Sequence, residues 1–196
     1  MAVSKRPMTL KRTVALVGMM GAGKTSIGKR LAARLNVPFA DADHEIEAAA
    51  GMTVSEIFAK YGEPYFRDGE RRVIARLLSE APHVLATGGG AYMDDITRAT
   101  MKASTFTIWL KAPVEILIGR VKKRQGTDKN ADGQGQTRPL LANDDLRGTL
   151  ERLLAQREPV YAQADMVLES ADEPHIVLLD KIVAALATHG ICESHE

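Results

Sequence analysis

The segment that most constrains this chain is Gly18-Met19-Met20-Gly21-Ala22-Gly23-Lys24-Thr25. It follows a β-rich run, Thr13-Val14-Ala15-Leu16-Val17, and precedes a stretch in which Ile27, Leu31 and Leu35 recur every four residues. The run predicts a buried strand and the recurrence predicts a helix with one apolar face. A Gly-x-x-x-x-Gly-Lys-Thr string between a strand and a helix has a direct physical meaning. Its glycines let the backbone turn tightly, so successive N–H groups converge on phosphate oxygens, and the helix adds the positive end of its dipole. Lys24 is then placed to reach the β- and γ-phosphates of a nucleotide, and the Thr25 hydroxyl to coordinate Mg²⁺.

Further short apolar runs alternate with amphipathic stretches, the pattern of βαβ units around a parallel sheet. Strands are expected at 37–40, 84–87, 106–110 and 166–168, with the second ending at Asp41 and Asp43. Thr53-Val54-Ser55-Glu56 carries a capping-box pattern and opens a short helix through Tyr61, and a second helix is expected over 63–80. Later helices are expected from Pro113, over 146–161 and over 174–188. Residues 125–137 contain no large apolar side chain and predict a mobile surface loop. The expected organisation is a basic disordered arm at 1–12, one domain at 13–190 and a tail at 191–196.

A length of 196 residues suits one domain with a real core. The net charge of +1 argues against nucleic acid or a membrane surface as the main partner. No apolar run is long enough to cross a bilayer. The single cysteine, Cys192, allows no internal disulfide, which fits a reducing, cytoplasmic setting. Without heptads or a large apolar stripe, a monomer is expected.

A phosphate loop alone does not separate kinases, GTPases and ATP-driven motors. None of Asn36, Asn130 and Asn143 is followed by lysine, so the Asn-Lys-x-Asp element of guanine recognition is missing. The run at 84–87 ends in Gly88-Gly89-Gly90 instead of adjacent acidic residues, which turns the reading from a motor to a small-molecule kinase. In an extended segment Asp41 and Asp43 share one face. One would support Mg²⁺ through water and the other would orient, or take a proton from, an attacking hydroxyl. The alternative for such a pair is a helix cap, with Asp43 the candidate. Gly88-Gly89-Gly90 offers backbone N–H groups where side chains would obstruct a ligand, or else a simple turn.

Three arginines have informative surroundings. Arg67 lies between aromatic Tyr65 and Phe66 and acidic Glu70. Arg138, in Arg138-Pro139-Leu140-Leu141, ends the polar segment where a lid arginine could stabilise transferring phosphate. Arg157 precedes Glu158-Pro159-Val160-Tyr161, where a guanidinium could grip a carboxylate.

Taken in order, Gly18 to Thr25, Asp41-Ala42-Asp43, Phe66-Arg67-x-x-Glu70, Thr87-Gly88-Gly89-Gly90, Arg138-Pro139-Leu140-Leu141 and Arg157-x-Pro159-x-Tyr161 resemble the shikimate kinases, from about Thr13 to Pro174. The resemblance implies a three-layer P-loop kinase fold with a central parallel five-stranded sheet, a mobile lid at about 122–142 and acceptor-binding helices at about 43–81. It implies transfer of the γ-phosphate of ATP to the 3-hydroxyl of shikimate, on the path to chorismate and the aromatic amino acids. Gly21, Ala22, Gly23, Lys24, Thr25 and Ser26 would surround the nucleotide phosphates, with Thr25 binding Mg²⁺ and Asp41 supporting it through water. Asp43 would bind shikimate hydroxyls and serve as base. Arg67 and Arg157 would clamp the carboxylate, a Gly89 backbone group would complete the pocket, and Arg138 would close over ATP. Two departures stand out: Arg124 to Arg138 spans a longer lid than the family's few residues, touching any role of Lys123 or Arg124, and the loop reads Lys-Thr-Ser where Lys-Ser-Thr is common. A gluconate-kinase-like enzyme and an inactive nucleotide-binding regulator are the alternatives.

Overall fold

A computed structural model describes residues 8–128, 145–170 and 173–194. Strand β1 (Met8–Leu10) is followed by β2 (Thr13–Val17), α1 (Lys24–Leu35), β3 (Phe39–Asp41), α2 (Ala42–Ala50), α3 (Val54–Leu78) and β4 (Val84–Ala86). A 3₁₀ turn (Ala91–Met93) then leads to α4 (Asp95–Ser104), β5 (Thr105–Lys111), α5 (Val114–Asp128), α6 (Leu146–Tyr161), β6 (Met166–Glu169), α7 (His175–Thr188) and β7 (Cys192–Ser194).

The expected parallel sheet is present, five strands in the order β3-β4-β2-β5-β6. Every residue of β2 and of β4 is buried, as a strand covered by helices on both faces requires. Ile27, Leu31 and Leu35 form the buried stripe of α1, which packs against β4, β3 and α7. On the other side of the chain's order, α5 packs on α6, and α4 on α3 and β5.

Local signals set several boundaries. Thr53 and Glu56 make the reciprocal capping box at the start of α3. The helix breaks at Gly62, whose φ of 78° and ψ of 174° are non-helical, where the sequence placed the junction between two helices. Asp94 caps α4 by accepting from the Thr97 N–H at 2.9 Å.

Three expectations are corrected. The arm at 1–12 is not disordered at 8–10: β1 pairs antiparallel with β7, Met8 opposite Ser194 and Leu10 opposite Cys192, so residues 192–194 of the expected tail are also part of the fold. Leu10, Ile191 and Cys192 are buried there, which gives the ribbon an apolar anchor. The first residues of the loop expected from 125 are helical, because α5 continues to Asp128; the remainder to 137 lies outside the described residues. Finally, only Asp41 is extended. The helix α2 starts at Ala42, so Asp41 is its cap and Asp43 sits within the first turn.

Ile108, fully buried on β5, supports both neighbouring strands. Ile108→Ala should lower unfolding free energy by about 2–5 kcal/mol in chemical denaturation, the usual cost of such a cavity. A loss under about 1 kcal/mol would show that this sheet centre repacks freely.

Candidate active site

The phosphate loop lies at the carboxyl end of β2, the usual position for a ligand in an open parallel sheet. Gly23, with φ 97°, is the N-cap of α1, and no side chain caps that first turn, so its N–H groups are left for a ligand. Lys24 is buried and folds back over the loop, its Nζ donating to the carbonyls of Gly18 at 2.7 Å and Met19 at 2.9 Å. The ammonium is therefore held against the loop that would receive phosphate.

Thr25 Oγ1 donates to Asp41 Oδ2 at 2.7 Å, while Asp41 Oδ1 accepts from the Asp43 N–H at 3.2 Å. One carboxylate thus caps α2 and also reaches the hydroxyl at the start of α1. That hydroxyl and carboxylate are hard oxygen donors set side by side, a pair that suits Mg²⁺ with water and phosphate filling its other positions. Ser26 Oγ instead accepts from Arg30 Nη1 at 2.6 Å along the helix.

The triple glycine after β4 is where the residues expected on the acceptor side converge. A Cβ on Gly88 would lie 2.7 Å from Asp43 Oδ1 and 2.8 Å from Glu70 Oε1. On Gly90 it would lie 2.5 Å from Arg67 Nη2, and on Gly89 3.4 Å from Arg157 Nη1. The missing side chains make room for Asp43 and Glu70 at Gly88, Arg157 at Gly89 and Arg67 at Gly90, so charged groups spread over more than a hundred residues of sequence meet around three adjacent glycines.

The two arginines are held differently. Arg67 Nη1 donates to Glu70 Oε2 at 2.6 Å, and its Nε and Nη2 donate to Glu63 Oε1 at 3.2 and 3.1 Å. Its guanidinium also lies 5.2 Å from the Phe66 ring centre, as the aromatic neighbours suggested. Arg157 is buried on α6, and its Nη1 donates to the Gly89 carbonyl at 3.1 Å and lies 3.9 Å from Met19 Sδ. Among the described residues no carboxylate lies within ion-pair distance of Arg157, so a buried cation is held by neutral acceptors. Arg138 lies outside the described residues; Lys123 is exposed on α5.

Sequence reasoning missed Arg120 and Ser170. Arg120 Nη1 donates to the carbonyls of Gly21 and Ala22 at 3.4 and 3.3 Å and to Ser170 Oγ at 3.1 Å, and Ser170 Oγ donates to the Ala22 carbonyl at 3.1 Å. They border a cleft of about 160 Å³ beside the loop, with Gly23, Ile27, His175 and Leu178. No motif marks them, because the contact depends on α5 and the end of β6 reaching the loop in space.

The shikimate kinase family model matches residues 20–187 of the chain. This chain belongs to the shikimate kinase family. The shikimate kinase of Bradyrhizobium diazoefficiens is 53% identical over 178 residues, 91% of this chain and 81% of that protein. The structure of shikimate kinase from Acinetobacter baumannii in complex with shikimate superimposes with a TM-score of 0.81 at 37% identity, covering 91% of this chain and 94% of that one. A gluconokinase from Sinorhizobium meliloti matches at 17% identity and a TM-score of 0.58, over 92% of this chain and 94% of that one, a likeness of fold alone. The chain is an ATP-dependent kinase with the P-loop kinase fold that its motifs implied.

Glu70 is buried, and burial pushes its carboxyl above the ordinary range against the attraction of Arg67; Asp43 and Asp94 add to the rise. Such a carboxyl holds a proton more readily in the folded chain than in the unfolded one. Its contribution to stability is full below the unfolded value, about pH 4.3, and is lost as pH rises through the folded value. Glu70→Gln should therefore flatten the fall in unfolding free energy over that window, measured by denaturation at a series of pH values. Parallel pH curves for parent and variant would remove this account of Glu70.

Proposed function

We propose that this shikimate kinase moves the γ-phosphate of ATP to the 3-hydroxyl of shikimate, giving shikimate 3-phosphate and ADP, with the acid held between Asp43 and two arginines. The observation that carries the acceptor assignment is Arg157: a buried guanidinium whose partners are a carbonyl and a thioether has a strong electrostatic preference for a carboxylate. Arg67 would complete the clamp, its plane set by Glu63 and Glu70. Glu70 and Asp43 beside Gly88 supply acceptors for the hydroxyls of a polyhydroxylated acid.

In this reading Gly21 to Ser26 surround the phosphates, and Lys24 leaves the Gly18 and Met19 carbonyls for the β- and γ-oxygens. The cleft bordered by Arg120 and Ser170 takes the nucleoside end. Thr25, and Asp41 through water, would hold Mg²⁺, which when bound offsets charge on the β- and γ-phosphates. Asp43 orients the 3-hydroxyl and accepts its proton as the oxygen bonds to phosphorus. The transition state is loose, so positioning and charge neutralisation supply most of the rate. Arg138 is assigned to the closing lid on its motif. A monomer in the cytoplasm remains the expected setting; no helix among the described residues is long and apolar enough to cross a membrane.

A coupled assay of ADP release should show turnover with shikimate and little with gluconate or nucleoside monophosphates; a clear preference for gluconate would overturn the assignment. Two variants test the acceptor site. Asp43→Asn should lower kcat by about 10²–10⁴ with a small change in the KM for shikimate, as loss of a positioned base does. Arg157→Ala should raise that KM by more than about tenfold and leave the KM for ATP near the parent value. Parent-like kinetics in both would dismiss the assignment.

A further inference from the structure

One buried group near the clamp has no part in the reaction as described. Tyr161, the last residue of α6, is wholly buried, and its hydroxyl donates to the Gly89 carbonyl. That is the same oxygen that accepts from Arg157 Nη1. The hydroxyl also lies 4.0 Å from Met19 Sδ, which Arg157 approaches to 3.9 Å. Arg157 and Tyr161 stand four residues apart, on one face of one helix. The Tyr161 ring is set against Trp109, centroids 5.8 Å apart, and Trp109 is anchored in the sheet between β2 and β6.

We propose that Tyr161 is a positioning residue for the acceptor: by sharing the Gly89 carbonyl with Arg157 it fixes both the Gly89 peptide and the direction of the guanidinium. A carbonyl oxygen has two lone pairs, and here each has a donor. With the tyrosine hydroxyl on one, the oxygen takes a single N–H from Arg157, and the planar fork keeps one orientation. Without the hydroxyl, the buried carbonyl loses its second donor and draws further on the guanidinium, which turns it away from a carboxylate. Burial raises the Tyr161 pKa, so the phenol stays a neutral donor over the working range of pH. The inference rests on the proposed role of Arg157.

Steady-state kinetics of the full chain with Tyr161→Phe, Arg157→Lys and the double variant tests it, with Trp109→Phe as a packing control. Tyr161→Phe should raise the KM for shikimate about fivefold, the factor carried by one hydrogen bond, with kcat within about twofold and the KM for ATP unchanged. In the Arg157→Lys background the same change should add less than about twofold, because the two groups act through one carbonyl. Trp109→Phe should lower the melting temperature without a selective change in the KM for shikimate. Should Tyr161→Phe fold poorly, shikimate binding by calorimetry below its melting temperature gives the same comparison. A parent-like KM in Tyr161→Phe, equal rises for both substrates, or an undiminished effect in the lysine background overturns the proposal. If Arg157→Lys itself has a parent-like KM for shikimate, the clamp assignment falls. If it raises that KM while Tyr161→Phe does not, only the positioning role falls.

Discussion

The parallel pairing of β2 with β4 is the constraint on which the site depends. Val14 pairs with Val84 and Leu16 with Ala86, and the contact runs one residue further, where the Thr87 N–H and hydroxyl both donate to the Leu16 carbonyl, at 3.2 and 3.0 Å. The two strands therefore end in step, and the turns that leave them emerge side by side. A Cβ on Gly89 would be 3.4 Å from the Met20 nitrogen and 3.6 Å from the Gly18 oxygen, so the acceptor floor and the phosphate loop touch through backbone. Transfer in line requires an acceptor oxygen within a few tenths of an ångström of its productive place. A slip of one residue would move one turn by about 3.3 Å and reverse the faces of the strand.

How much of this was legible in the sequence follows from whether each signal is local. The phosphate loop, the box at Thr53 and Glu56, the break at Gly62 and the stripe of α1 are set by residues within a few positions of one another, and all stand where they were expected. Arg67 with Glu70 was also readable, being one helical turn apart. The β1–β7 ribbon was not: three residues pair with three others at the far end of the chain, and neither trio carries a pattern of its own. Asp41 and Asp43 were placed on one extended face because a strand precedes them, yet the cap that Asp41 supplies starts a helix one residue later. The aspartates still serve different partners, Asp41 the Thr25 hydroxyl and Asp43 the floor at Gly88, but a helix start separates them and not the alternation of a strand. Arg120 and Ser170 depend wholly on tertiary placement, so no spacing could have revealed them.

The unequal treatment of the two arginines has an energetic meaning. Arg67 is paired with Glu63 and Glu70, and under the proposed clamp role an arriving carboxylate would have to share it with them. Arg157 has no such partner among the described residues, and keeping a buried cation on neutral acceptors costs folding free energy. Under the proposed clamp role that cost would be recovered when a carboxylate reaches Arg157, so part of the affinity would be stored in the folded chain. A fold can hold such a group only if its neighbours fix it firmly, since an unpaired guanidinium with freedom to move would turn towards water or towards Glu70. The backbone of Gly89, pinned between the phosphate loop and the end of α6, supplies that restraint. Under the same proposal, selectivity for an acid over a neutral polyol would follow from charge: a neutral acceptor would leave the buried guanidinium without a counter-charge and forfeit the stored energy, whereas a carboxylate would remove the deficit.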